Sequence, residues 1–94
     1  MNNEQGYNGW RNYETWNVKL WLDNDQGTYY HILELGEENE DVYDLAKAIE
    51  DFIDELRPDI EASLFSDLLS AALSEVDWHE IAEAVAEEVA EAAK

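Results

Sequence analysis

The chain has 94 residues and sets 24 Asp and Glu against 5 Lys and Arg, for a formal net charge of −19 and a pI near 4.1. Binding to a phosphate backbone or an anionic membrane is excluded, because both need Lys and Arg to displace counterions. A hydrophobic fraction of 46% with 12% aromatics excludes a disordered chain, the length points to a single helical domain over 1–94, and zero Cys removes disulfides and thiolate metal sites.

Met1 to Arg11 is rich in Asn and Gly and reads as an N-terminal arm, whose Tyr7 and Trp10 either dock it onto the body or anchor a partner. Asn12 stands at the N-cap of a first helix, Tyr13 to about Asn24. Its Tyr13, Trp16 and Leu20 form one stripe, widened by Val18, Trp21 and Leu22, so the helix is expected to be largely buried. Trp16, Trp21, Tyr29 and Tyr30 are read as packing residues. Asp25-Gln26-Gly27 breaks this helix, a second runs from Thr28 to Leu35, and Gly36 fits its C′ position. Residues 12–39 thus form an aromatic-rich helical hairpin.

The third helix, Glu40 to Leu56, has the most regular pattern: Val42, Leu45, Ile49, Phe52 and Leu56 step by three and four residues. Outside that seam fall Glu40, Asp41, Asp44, Glu50, Asp51, Asp54 and Glu55, relieved by Lys47 and Arg57, and Pro58 ends the helix. Ile60, Leu64, Leu68, Ala71 and Ala72 continue at helical spacing, as one kinked helix or two short ones with a break near Ser63 or Ser66-Asp67. Asp77 and Glu80 then have capping-box spacing, with Val76 and Ile81 placed as a hydrophobic staple. The last helix reaches about Ala93, with Trp78, Ile81, Val85 and Val89 on one face and Glu83, Glu87, Glu88 and Glu91 on the other. No segment alternates with period two over more than a few residues, so the expected fold is all-α, a compact bundle of four to five helices.

Charge is distributed unevenly. Residues 1–39 hold 7 acids and 2 bases, residues 40–94 hold 17 acids and 3 bases, and the local net charges are −5 and −14. Eight of the eleven aromatics lie at or before Tyr43, so the front carries the rings and the acidic helices of 40–94 carry the charge.

Two segments resemble metal sites and fail on chemistry. Asp23 to Glu34 has the acids of a calcium loop, but Gly27 is fifth and Thr28 sixth where the loop needs an oxygen ligand fifth and a glycine sixth. His79-Glu80-Ile81-Ala82-Glu83 echoes a zinc-protease helix, with Glu83 in place of the second imidazole. No phosphate loop, nucleophile motif or paired-carboxylate placement is present, so no catalytic residues, metal or cofactor are assigned. No apolar run approaches the roughly 18–20 residues of a membrane span, and the first residues lack a leader pattern, so the expected location is the cytoplasm.

Seventeen residues of helix from Glu40 to Leu56 are about 26 Å long, a length over which one strand of B-DNA carries about seven or eight phosphates. Seven carboxylates on that helix match this density. Such a surface is attracted to basic clefts on other proteins; the competing explanations are a solubilising surface and adaptation to salt.

Tyr7-Asn8-Gly9-Trp10, the run Asn12-Tyr13-Glu14-Thr15-Trp16-Asn17-Val18-Lys19-Leu20-Trp21-Leu22-Asp23-Asn24-Asp25 and the segment Asp67 to Ala82 (DLLSAALSEVDWHEIA) resemble a family of small uncharacterised proteins of phages, plasmids and their bacterial hosts. In charge, size and helical content the chain is also similar to DNA-mimic antirestriction proteins and acidic anti-CRISPR proteins. These resemblances imply a mobile-element inhibitor of a host defence complex, acting in the host cytoplasm. Its target would be a basic DNA- or RNA-binding cleft, contacted by Glu40, Asp41, Asp44, Glu50, Asp51, Asp54 and Glu55 and by Glu83, Glu87, Glu88 and Glu91. The alternative is a non-catalytic adaptor that binds a protein partner through Tyr7 and Trp10. A homodimer is compatible with either, if the seam of the third helix meets a second copy.

Overall fold

A computed structural model describes residues 6–58 and 63–93. Among these residues five helices follow in order: α1 (Tyr13–Asn24), α2 (Gln26–Glu38), α3 (Val42–Leu56), α4 (Leu64–Ser74) and α5 (Trp78–Ala92). The fold is all-α, as the patterning predicts. The one bridge outside the helices joins Tyr7 to Trp10. Ile60 and the other residues of 59–62 lie outside the described residues.

Four helix starts are fixed by side-chain caps of the expected kind. Asn12 Oδ1 accepts from Thr15 N, Asp41 from Tyr43 N, Ser63 Oγ from Ser66 N and Asp77 Oδ1 from Glu80 N. Each cap satisfies a backbone donor that the helix itself leaves open, an effect of about 1 kcal/mol. With Ser63 as its cap, α4 runs through Ser66-Asp67 without a break.

The core is drawn from four helices: Leu22 of α1, Ile32 of α2, Leu45 and Ile49 of α3, and Ile81, Ala82 and Val85 of α5, closed by Val76. α5 packs on α1, α2 and α3, and its interface with α3 is the most extensive in the fold. The seam of α3 from Val42 to Phe52 therefore packs within the chain, while Leu56 at its end is exposed. Val76 and Ile81 are both buried, as a staple requires.

Three local expectations are corrected. α1 is buried on one side only: Leu22 and Val18 of the expected face reach the core beside Thr15 and Lys19, while Tyr13, Leu20 and Trp21 are exposed. With the aromatic stripe outward, Trp21 is 68% exposed, and Tyr30 of α2 is also open to solvent. Next, Asp25 alone separates α1 from α2, so Gln26 and Gly27 are already helical. Finally, Gly36 lies inside α2, not beyond its end. A Cβ there would lie 2.7 Å from Val89 Cγ2 and 3.1 Å from Val85 Cγ1, so glycine allows α2 and α5 to approach closely. α2 instead stops at Asn39, whose backbone and side-chain nitrogens both donate to the Leu35 carbonyl, at 3.0 and 2.9 Å.

Candidate functional site

The acidic surface is built by α3. At 3.6 residues per turn, Leu45 and Ile49 point into the core, which places Asp54 and Asp51 on the opposite side, with Asp44 and Glu50 beside them and Glu55 on the flank. Glu40 and Asp41 continue this surface at the N-terminal end. All seven carboxylate residues are exposed. Among the described residues one cation engages them, Lys47, whose Nζ is 3.1 Å from Asp51 Oδ1. The hydrogen bond to Asp51, then the charges of Asp51 and Glu50, raise the Lys47 pKa above its ordinary value. Arg57, at the end of α3, donates from Nη2 to Ser70 Oγ at 2.6 Å.

Sequence reasoning missed one extension of this surface. The last turn of α2 exposes Glu37 and Glu38, which run directly into Glu40 and Asp41 across the α2–α3 corner. The signal was the composition of the run Glu37 to Asp41, hidden by ending the helix at Leu35. Acids at a helix C-terminus oppose the helix dipole, each at a cost of about 0.3–1 kcal/mol. None of the five helices carries a base in its last turn.

On α5 the four glutamates expected on its acidic face differ. Glu83, Glu87 and Glu91 are exposed, and Glu83 Oε2 lies 3.3 Å from His79 Nε2. Glu88 is turned inward to α1: Lys19 Nζ is 3.0 Å from Glu88 Oε2 and 2.7 Å from Asp23 Oδ2. Only 6% of the Lys19 side chain is exposed, against 35% for Glu88. Burial lowers the Lys19 pKa, but the hydrogen bonds and charges of Asp23 and Glu88 outweigh it and leave it raised. Glu88 thus joins two helices, whereas its neighbours point to solvent. The Lys19–Asp23 spacing of four residues was legible as an ion pair; its burial was not.

The arm is held in place. Tyr7 and Trp10 exchange backbone hydrogen bonds of 2.8 and 2.6 Å around Asn8 and Gly9, both at positive φ, the Asn-Gly geometry of a tight turn. The Tyr7 ring lies tilted against Trp16 and meets Tyr13 edge-on, and Trp10 packs against the core cluster. Arg11 N donates to Glu80 Oε1 at 3.0 Å and Asn12 Nδ2 to the Glu75 carbonyl at 2.7 Å. Of the two arm aromatics, Tyr7 is the more open, at 39% exposure.

The two metal-like segments serve local structure. Asp23 is held by Lys19 and Asp25 accepts from Thr28 Oγ1 at 2.9 Å, so the carboxylates at the α1–α2 junction engage side chains of their own helices. Glu80 is engaged by Arg11. Among the described residues no group of three His, Asp or Glu side chains is arranged to hold a cation. No helix among them is long and apolar enough to cross a membrane.

A family model described as a family of unknown function, DUF7249, matches residues 3–93, and the chain belongs to that family. No curated protein and no solved structure matches it.

Proposed function

We propose that this member of DUF7249 works without catalysis, as an acidic decoy that occupies the basic nucleic-acid-binding cleft of another protein. In the mobile-element setting implied by its sequence resemblances, the target is a host defence complex of the restriction or CRISPR type. The observation that carries the reading is the outer face of α3, extended by Glu37 and Glu38. Its carboxylates lie along about 22 Å of helix and are exposed, with one Lys among them. Several occupy helix C-termini, where they lower stability, so selection for folding does not account for them. A surface of this kind attracts Lys and Arg at long range and competes with phosphates for them. Glu83, Glu87 and Glu91 form a second acidic face on α5.

Binding to a basic nuclease or CRISPR effector, measured by calorimetry at two salt concentrations, tests the reading. Affinity should fall steeply with salt, and the triple variant Asp44→Lys, Asp51→Lys and Asp54→Lys should lose about tenfold or more. Within that set Asp51 should matter least, because Lys47 already engages it. Affinity unchanged by both salt and charge reversal would sink the decoy reading.

An adaptor that uses aromatic contacts is supported by a different observation, the exposure of Tyr7, Tyr13 and Trp21 in the N-terminal part of the chain. It predicts that Tyr7→Ala and Trp21→Ala abolish capture of the partner while acid neutralisation does little. Trp10→Ala is the poorer probe, since Trp10 also packs on the core.

A further inference from the structure

The outward face of α4 is an aliphatic-rich apolar surface that the chain leaves uncovered. Leu64, Leu68, Ala72, Phe65, Leu69 and Leu73 span about 180° of the helix, well beyond the stripe of about 100° that one packed face needs. Leu69 and Leu73 face the body, lining grooves against α1 and the end of α3. Leu64, Phe65 and Leu68 face solvent, at 68%, 71% and 57% exposure. No residue of α4 is buried.

We propose that this face is the contact of a symmetric homodimer, in which α4 lies antiparallel to α4 of a second copy with the two-fold axis passing near Leu68. Two observations select a second copy over other occupants. The first is shape. Side-chain size falls along the exposed arc, from Leu64 and Phe65 to Ala71 and Ala72, so an antiparallel copy sets the large end of each helix against the small end of the other. The second is charge. Two chains of net −19 repel each other over most of their surface, but α4 carries only Asp67, and Arg57 is held against Ser70 on its flank. A basic partner would gain more on α3; the near-neutral face suits its own copy. Eleven residues give a contact only about 16 Å long, so the dimer belongs to the small, weak class of interface, with a Kd on the order of 100 µM.

The inference does not depend on the decoy reading, and salt acts on the two with opposite sign. Screening weakens attraction to a basic cleft and relieves repulsion between like copies. Sedimentation equilibrium of the full chain up to about 1 mM should show a dimer whose association strengthens several-fold between about 50 and 500 mM NaCl. Leu68→Glu should remain monomeric with an unchanged helical spectrum and melting temperature. Because the chain has no Cys, Leu68→Cys should oxidise to a disulfide-linked dimer, and Asp44→Cys on the outer face of α3 should not. A monomer at every concentration and salt, a dimer that survives Leu68→Glu, or equal cross-linking at both positions would each overturn the proposal. Binding of another protein to α4 of a chain that stays monomeric would overturn it as well.

Discussion

Thr15 and Lys19 are the two polar side chains buried among the core-facing residues of α1, and each is tolerated there because its polar atoms are fully occupied. Thr15 Oγ1 donates to Asn12 Oδ1 at 2.6 Å and accepts from Asp77 N at 2.8 Å, so one hydroxyl links the N-caps of α1 and α5. Glu80 sits at the capping-box position without closing the box: its carboxylate takes the Arg11 amide, and Thr15 takes the Asp77 amide in its place. Thr15→Val keeps the shape and removes both bonds, and should lower unfolding stability by about 1–3 kcal/mol in urea titration, with Thr15→Ser largely restoring it. Lys19 titrates with the opposite sign to an acid. Its folded-state pKa is raised, so its contribution is complete below the unfolded value of about 10.4 and is lost as pH rises through the folded value. The stability difference between wild type and Lys19→Met should therefore shrink above about pH 10.5, whereas at neutral pH the variant should be weaker by about 1–3 kcal/mol. The lower end of that range applies because Asp23 and Glu88 are part-exposed and can rehydrate. Neither residue stands out as a core position in the sequence, since neither Thr nor Lys signals burial without its partners 62 and 69 residues away.

Helix identity was legible where a cap and an apolar period agreed, as at Asp77 with the α5 face, and where the period alone was regular, as in the α3 seam, although its cap is Asp41 and not a residue before Glu40. It failed where the decisive contact was distant. Gly36 reads as a helix end because glycine is intrinsically poor inside helices, yet α2 continues through it to let Val85 and Val89 approach. Gly36→Ala sets the two effects against each other. The helix gains about 1 kcal/mol in propensity, while a methyl 2.7 Å from Val89 Cγ2 meets a β-branched side chain whose rotamer is stiff. Overpacking should win, with a net loss of about 1–2 kcal/mol in thermal unfolding. Val89→Ala added to Gly36→Ala should then cost less than it does alone. α1 is the other failure: its aromatic stripe promised a buried face, but packing on α2 and α5 took the side with Leu22, Thr15 and Lys19.

On the scale of the whole molecule, charge sets solubility, self-repulsion and attraction to basic surfaces, and α3 concentrates it on one side of a helix whose other side is core. If the decoy reading holds, neutralising Asp44, Glu50 and Asp54 together should weaken target binding and flatten its salt dependence, while raising the protein's own melting temperature at low salt. That pairing of lost binding with gained stability is measurable by calorimetry and thermal melts on one variant. Most of the candidate surface was already placed by sequence, because Asp and Glu outside a regular seam have nowhere to go but solvent. Glu88 was not, since a carboxylate near a buried ammonium behaves differently from its neighbours and only the α1–α5 approach brings Lys19 to it. Nor was the bare face of α4: an apolar arc in sequence reads as core until the other helices are seen to cover half of it. What the amino-acid order determined by itself is what local physics controls: the all-α class, the caps, the α3 seam and the acidic face opposite it. What only the tertiary structure decided is which side of α1 is buried, that Glu88 turns inward to Lys19 and which apolar surface of α4 is left open. Those outcomes depend on competition between faces for the same core, and one strand of periodicity holds no information about its competitors.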